Sequence, residues 1–276
     1  MAKKKKLLIV GDTHANFRFL SYALKKLKPD AAVVVGDFGY WMRDDFPETE
    51  GEEGWFMDDL DRHGVRVYFC DGNHENFARL AEIARGKNPT KPMKVRKGIF
   101  YMPRGSSVKL CGKRIFFVGG AFSIDREYRE HGRTWFDEEI LTRKEAEEIA
   151  ARPGLGKADI VVTHTCPAAA LPEVCAVCGI NPEWIENSET EESLEMLRPK
   201  FTRATDWYFG HWHQAAEFGL EGTGTRFHLL NMTPCAGSLA GIGIGRKKIR
   251  RVVRAFAKKL AKEKRAAAEE ETGAAA

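Results

Sequence analysis

The stretch Leu7-Leu8-Ile9-Val10-Gly11-Asp12-Thr13-His14 joins a short apolar run to a glycine and to two side chains that can bind metal ions. Four consecutive apolar residues are typical of a buried β-strand, and the glycine allows the backbone to turn sharply after it. A helix is predicted next, because apolar residues then recur at helical spacing, at Phe17, Leu20, Leu24 and Leu27. The chain therefore begins with a strand followed by a helix.

The same alternation continues through the first third of the chain. Strands are predicted at Ala31–Val35 and Val65–Cys70, and helices are predicted at Trp55–His63 and Phe77–Arg85. Strands that alternate with helices are typical of parallel βαβ units. The sequence thus predicts an α/β protein whose central strands run parallel.

Beyond Pro92 the apolar runs become shorter and more closely spaced. Thr142 and Glu145 have the spacing of a capping box, which predicts the start of a charged helix that ends before Pro153. A surface helix is predicted at Asn187–Leu197. Further strands are predicted at Ile99–Met102, Ser107–Leu110, Arg114–Val118, Ile160–Thr163, Trp207–Phe209 and Phe227–Leu230.

Five of the predicted strands end in side chains that commonly bind metal ions. The carboxyl ends of neighbouring strands in an open α/β sheet meet at one crevice, so these side chains should lie together. One histidine in such a place would more often be a core or surface residue, but five of the chain's 8 histidines follow strands in this register. The set, in chain order, is Asp12 and His14, Asp37, Asn73 and His74, His164, and His211 and His213.

The mixture of side chains indicates which metals such a site would take. Imidazole, carboxylate and amide groups suit manganese, with iron, zinc or nickel as alternatives. Two divalent ions about 4 Å apart need a shared carboxylate, and their combined charge activates a water molecule. Asp37 is the predicted bridge, because its strand should lie centrally between the other ligand loops. We therefore expect two divalent metal ions as cofactors.

Five motifs, in this order and spacing, resemble those of the calcineurin-like metallophosphoesterases of the bacterial or phage type. They are Gly11-Asp12-Thr13-His14, Gly36-Asp37, Gly72-Asn73-His74-Glu75, Thr163-His164 and Gly210-His211-Trp212-His213. The resemblance covers residues 7–235 and implies a four-layer α/β/β/α sandwich, with two mixed sheets face to face. It also implies a two-metal phosphoesterase, in which a metal-bridging hydroxide attacks a phosphomonoester or phosphodiester in line.

The resemblance also implies a role for each motif residue. His74 lies next to a ligand and resembles the family's proton donor to the leaving group, so His74 and Asp37 are the predicted catalytic residues. The implied ligands of one ion are Asp12, His14, Asp37 and His213. The implied ligands of the other ion are Asp37, Asn73, His164 and His211.

The sequence departs from the family's Ser/Thr phosphatases directly after the bridging aspartate. Those enzymes carry a further Asp and Arg there, whereas this chain reads Phe38-Gly39-Tyr40-Trp41. A substitute is predicted in the segment Gly119–Arg126, where Asp125 and Arg126 are candidate substrate-binding residues. The alternative interpretation of this segment is a surface loop with solvated arginines.

Charge is unevenly distributed along the chain. The net charge is +5, with four lysines at Lys3–Lys6 and eleven basic against four acidic residues in 246–276, which leaves −6 for residues 7–245. The glycine-rich segment Ala236–Gly245 predicts a boundary between a catalytic domain at 1–240 and a basic C-terminal helix and tail at 241–276. This helix could dock on the domain, lie on a membrane surface or contact nucleic acid.

No secretory signal and no membrane-spanning segment is predicted, because the apolar runs are too short. The six cysteines are then expected to be reduced thiols in a cytoplasm. Cys175 and Cys178 form a C-x-x-C pair with Cys166 nearby, but a structural zinc would need a fourth ligand that the sequence does not identify. Thiols without a metal are the preferred interpretation.

Two classes of function stay open at this point. The first is a phosphoesterase, either a nuclease or nucleotide phosphodiesterase, or a phosphatase for small molecules or proteins. The second is a binding scaffold that keeps the fold without catalysis. A full ligand set and His74 favour the enzyme, because a scaffold has no chemical need for either.

Overall fold

The computed structural model describes residues 5–39, 62, 64–185 and 189–273, with side chains up to residue 268. Twelve strands and six α-helices lie in these ranges. The strands are β1 (Leu7–Val10), β2 (Ala31–Val34), β3 (Arg66–Phe69), β4 (Met93–Arg96), β5 (Ile99–Tyr101), β6 (Ser106–Leu110), β7 (Lys113–Val118), β8 (Ile160–Thr163), β9 (Asp206–Phe209), β10 (Ala216–Gly219), β11 (Arg226–Leu229) and β12 (Leu239–Ile242). The helices are α1 (Phe17–Leu27), α2 (Phe77–Ala84), α3 (Arg143–Ala150), α4 (Leu171–Cys178), α5 (Glu189–Leu197) and α6 (Arg246–Gly273).

The strands form two six-stranded sheets of similar design. The first has the order β12-β1-β2-β3-β5-β4, and its four central strands are parallel while β12 and β4 pair antiparallel at the edges. The second has the order β10-β11-β9-β8-β7-β6, again with four parallel central strands and antiparallel edges. Both sheets are therefore mixed.

Three apolar layers hold the sheets and helices together. Successive side chains of a strand point to opposite faces, so Leu8 of β1 packs toward the helices and Ile9 packs between the sheets. The first outer layer contains residues of α1, α2 and α6, and the layer outside the second sheet contains residues of α3, α4 and α5. The predicted four-layer α/β/β/α sandwich is confirmed.

The start of α3 shows how the sequence fixes a helix end. The Thr142 side chain accepts a hydrogen bond from the backbone N–H of Glu145, and the Glu145 side chain accepts one from the backbone N–H of Thr142. This reciprocal pairing satisfies two N–H groups that have no partner inside the helix. The capping box predicted from the sequence is therefore present.

Several elements differ from the sequence prediction. The strands β4, β10 and β12 and the helix α4 are absent from the sequence prediction. β4 and β10 are short and half-exposed, so they give a weak apolar pattern. The helix predicted at Trp55–His63 lies outside the described residues, apart from Arg62. The first residues of the helix predicted at Asn187–Leu197 also lie outside them, and the described part, α5, is not simply a surface helix since it buries Glu191 and Leu194.

The C-terminal helix α6 is part of the first layer. Ile249, Val252, Val253 and Phe256 are each at most 8% exposed and belong to the same apolar cluster as α1. The Phe256 ring lies 5.1 Å from the Phe19 ring. Before this helix, β12 pairs with β1 inside the segment that was predicted as a domain boundary. The division at residue 240 stays a prediction.

Candidate metal centre

The candidate metal ligands lie where the carboxyl ends of the two sheets meet. Three ligand-bearing loops follow β1, β2 and β3 of the first sheet, and two follow β8 and β9 of the second. Asp12, Asp37, Asn73 and His164 are buried, whereas His14, His211 and His213 are partly or more fully exposed at the crevice. The structure thus brings all seven sequence-predicted ligands together.

One group of donors surrounds Asp12 and His14. His14 Nε2 lies 3.1 Å from His213 Nε2, and His213 Nε2 lies 3.3 Å from Asp12 Oδ2. The other oxygen, Asp12 Oδ1, is buried 3.9 Å from His164 Nδ1 and makes no hydrogen bond with any residue that the structure describes. A buried carboxylate oxygen without a hydrogen bond is costly, unless a cation satisfies it.

A second group of donors surrounds the Asn73 amide oxygen. Asn73 Oδ1 lies 2.9 Å from His164 Nε2 and 3.1 Å from His211 Nδ1. The amide nitrogen of Asn73 points away, since it donates a hydrogen bond to Ser123 Oγ at 2.9 Å. Ser123 therefore turns the oxygen of this amide toward the imidazoles.

Asp37 lies between the two groups. Its Oδ2 is 3.6 Å from His14 Nε2 in the first group, and its Oδ1 is 3.4 Å from His164 Nε2 in the second. Oδ1 also accepts a hydrogen bond of 2.8 Å from the backbone N–H of His74. One carboxylate therefore contacts both donor groups.

The backbone of the ligand loops adopts conformations that most residues avoid. His14, Asp37, His211 and His213 have φ values of 43°, 45°, 67° and 50°. Such left-handed conformations cost of order 1–3 kcal/mol each and cluster at functional sites. A side chain at Gly210 would overlap the Asp12 carboxylate, so this position requires glycine to let the ligand loop approach.

The electrostatics of the site favour positive charge between the carboxylates. Burial lowers the pKa of His164, but Asp37 and Asp12 outweigh it and raise this pKa to about 9. Burial, helped by the charge of His164, lowers the pKa of His211 to about 3. Burial raises the pKa of Asp37, yet the neighbouring imidazoles hold it well below its ordinary range.

These residues fit divalent metal ions. Two sets of side chains have their ligand atoms within 4.8 Å of one another, Asp12 with His14 and His213, and Asp12 with Asp37 and His164. Nitrogen and oxygen donors of this kind suit manganese, iron, zinc and nickel. Asp12 Oδ1, which is buried and makes no hydrogen bond among the described residues, indicates a place for a cation.

His74 lies beside the donor groups without joining either of them. Its half-buried ring is 5.6 Å from the His14 ring, in an edge-to-face arrangement. Burial lowers the pKa of His74, Asp37 acts in the opposite direction, and Arg129 lowers it further. A titratable ring is thus fixed at the rim of the candidate metal centre.

The segment Gly119–Arg126 lies next to this centre, but its two candidate residues have different surroundings. Asp125 is half-exposed and accepts a hydrogen bond from Arg129 Nη1 at 3.2 Å. Arg126 is exposed, with its guanidinium carbon 4.7 Å from the centre of the Phe122 ring. No contact of Arg126 with the metal ligands is seen among the described residues.

Arg129 contacts the loop that carries Asn73, whereas the sequence favoured Asp125 and Arg126 as the substrate-binding candidates, with Arg129 only close behind them. It donates hydrogen bonds to the Asn73 carbonyl at 3.1 Å and to Ser123 Oγ at 2.7 Å. It also pairs with the buried Glu139 at 2.7 Å, whose pKa burial raises to about 7 although Ser123 and Arg129 oppose the shift. Arg129 and Ser123 together hold Asn73.

We expect substitutions of Arg126 and Arg129 to have different effects on catalysis and metal binding. Arg126→Lys should raise KM or lower kcat without changing metal content, because a lysine cannot reproduce a bidentate grip on a phosphate. Arg129→Lys should weaken metal binding by about 10–100-fold, as the loss of a residue supporting a ligand commonly does. Metal titration and steady-state kinetics on both variants would measure this. Wild-type kinetics in Arg126→Lys would leave that residue as part of a surface loop.

The cysteines take no part in either donor set among the described residues. Burial raises the pKa of the Cys166, Cys175 and Cys178 thiols, which favours the protonated form and disfavours metal binding.

Among the described residues, none of the helices has the length and apolar character needed to cross a membrane.

Two solved structures are similar to this chain. A phosphopantetheinyl hydrolase from Mycobacterium tuberculosis is similar in structure, with 17% identity, a TM-score of 0.47, and coverage of 88% of this chain and 97% of that one. A dimetal phosphatase from Danio rerio has 11% identity, a TM-score of 0.48, and coverage of 86% and 92%. A comparison with curated protein sequences gives no match.

The family model decides the assignment. The model for calcineurin-like phosphoesterase matches residues 5–215, a range that includes all seven candidate ligands and His74. Each of these residues lies at the centre described above, on the loop that its motif predicts. The chain therefore belongs to the calcineurin-like phosphoesterase family and is a metal-dependent hydrolase that acts on phosphoester bonds.

Proposed function

We propose that this enzyme uses two divalent metal ions, bridged by Asp37, to hydrolyse a phosphomonoester or phosphodiester. The observation that carries the proposal is the position of the Asp37 carboxylate, with one oxygen 3.6 Å from His14 and the other 3.4 Å from His164. One ion would be held by Asp12, His14, Asp37 and His213. The other ion would be held by Asp37, Asn73, His164 and His211.

The metal ions and His74 have different roles in the proposed reaction. When bound, two divalent ions neutralise charge on the phosphoryl oxygens and lower the pKa of a water molecule enough to make it a nucleophile. His74 gives a proton to the leaving oxygen as the ester bond breaks, which allows an alkoxide to depart as an alcohol. The hydrogen bond from its backbone N–H to Asp37 keeps His74 in register with the centre.

The segment Gly119–Arg126 contributes the proposed substrate contacts. Asp125 and Arg126 are proposed to contact the substrate, and the exposure of Arg126 leaves its guanidinium accessible to a phosphate oxygen. Manganese is the proposed native metal, with iron, zinc or nickel as alternatives. A cytoplasmic location stays a prediction from the cysteine content.

A substrate screen tests the proposed activity. The protein, stripped with a chelator and reloaded with manganese, should hydrolyse bis-p-nitrophenyl phosphate, p-nitrophenyl phosphate or both, and should lose the activity when the chelator is restored. The ratio of the two rates distinguishes a diesterase from a monoesterase. A fully loaded protein that hydrolyses neither ester, nor short oligonucleotides, would favour the binding scaffold instead.

A further inference from the structure

The outward surface of α6 carries a continuous row of positive charge. Helical residues recur on one face at intervals of three and four, and six basic side chains follow that spacing. We call them the outer row: Lys247, Arg251, Arg254, Lys258, Lys262 and Arg265. All six are exposed. At 1.5 Å per residue the outer row extends over about 27 Å.

These charges have no acidic partners among the residues that the structure describes. The one acidic side chain described on α6, Glu263, points the other way and pairs with Arg18 of α1 at 2.7 Å and with Lys259 at 3.8 Å. Arg246 pairs with Glu217 at 2.8 Å and is not in the outer row. The outer row is therefore available for an external anion.

Helix α6 runs from the amino edge of the first sheet toward the metal centre. β12 runs antiparallel to β1 and ends with Ile242 opposite Leu7, so α6 starts at the amino edge of the first sheet. Glu263, near the far end of the outer row, pairs with Arg18 in the first turn of α1. This turn follows the loop that carries Asp12 and His14. The last residues of the outer row thus lie toward the edge where the candidate ligands are.

A membrane surface is a poor match for this helix. A helix that lies in a membrane interface inserts its apolar face into the lipid. Here that face is occupied inside the protein, since Ile249, Val252 and Phe256 are at most 7% exposed. What α6 offers to solvent is charge in a fixed line, which is the feature that binds a nucleic acid backbone without regard to base sequence.

We infer that the outer row of α6 binds the phosphate backbone of a nucleic acid and directs it to the metal centre. This inference rests on the proposed function, and it narrows the substrate class to nucleic acid phosphodiesters. Because the rest of the chain between residues 7 and 245 carries a net charge of −6, this helix is the main attraction for a polyanion.

Deleting α6 is an unsuitable test, because its apolar face is part of the core. The variant instead combines Lys247→Gln, Arg251→Gln, Lys258→Gln and Lys262→Gln, which removes four charges and leaves the packed face intact. The matched control combines Lys87→Gln, Lys91→Gln, Lys109→Gln and Lys157→Gln, which removes four exposed charges elsewhere on the surface. Thermal unfolding of both variants checks that the fold is kept.

Binding of a fluorescein-labelled 30-nucleotide single strand and a 20-base-pair duplex is measured by anisotropy in EDTA, between 50 and 200 mM NaCl. Wild-type affinity should fall steeply with salt. In the outer-row variant the plot of log association constant against log salt concentration should be less steep, with a slope smaller in magnitude by about 3. Binding at 50 mM NaCl should be weaker by at least about tenfold. The control variant should bind as the wild type does.

Three outcomes would overturn the inference: no binding by the wild type, equal loss in both variants, or binding of phosphatidylserine vesicles in place of the oligonucleotides. Hydrolysis of bis-p-nitrophenyl phosphate by the manganese-loaded variant should be unchanged. Because the binding measurement needs no turnover, a failure of the outer row and a failure of the proposed function give separate results.

Discussion

Asp37→Ala protein is expected to bind neither metal ion at stoichiometric concentration and to hydrolyse phosphoesters no faster than buffer. The reason is geometric, because the Asp37 carboxylate contacts both donor groups, at 3.6 Å from His14 and 3.4 Å from His164. Loss of a bridge weakens both sites together, whereas loss of another ligand affects one of them. Elemental analysis after manganese loading, with bis-p-nitrophenyl phosphate turnover, measures the effect.

A surface aspartate provides the control for this substitution. The Asp137 side chain is 76% exposed and pairs with His131, so Asp137→Ala should keep the metal content and activity of the wild type. Thermal unfolding of the chelated proteins separates loss of metal from loss of fold. Two ions bound by folded Asp37→Ala protein would contradict the bridging role.

His74→Asn protein is expected to keep both metal ions and to lose activity in a way that depends on the leaving group. A positioned general acid typically contributes about 10²–10⁴-fold, and its contribution is largest when the departing oxygen is strongly basic. Alkyl phosphoesters should therefore lose about that factor in kcat/KM, while p-nitrophenyl esters should lose much less, since nitrophenolate leaves without a proton.

The matched control is His131→Asn, because His131 is exposed and pairs with Asp137, which is not a candidate metal ligand. Its kinetics should equal those of the wild type for every ester. If His74→Asn lowered turnover equally across leaving groups, His74 would be a positioning residue and the proton donor would have to be sought elsewhere.

The sequence was sufficient to predict the candidate ligands because each of them follows a predicted strand, and parallel strands end at the same edge of a sheet. Asp12, Asp37 and His164 each follow an apolar run within a few residues, and the carboxyl ends of parallel strands meet. With Leu7–Val10, Ala31–Val35 and Ile160–Thr163 predicted as strands, the convergence of these side chains follows from topology. The layers of the sandwich came from the family resemblance and not from periodicity.

The surroundings of the ligands could not be predicted in the same way. Arg126 and Arg129 are three residues apart in a segment without regular periodicity, and only the path of the loop decides that Arg129 contacts Asn73. Ser123 orients the Asn73 amide across 50 residues of sequence. The glycine-rich segment before α6 has the composition of a domain boundary, yet it contains β12. The pairing of β12 with β1, which the sequence does not show, makes it a strand.

Anomalous diffraction from crystals of the manganese-loaded wild-type enzyme tests the two-metal centre most directly. The expected result is two peaks about 4 Å apart, one beside His14 and His213 and the other beside Asn73 and His164, with Asp37 contacting both. A single peak, or two peaks that share no carboxylate, would contradict the proposal.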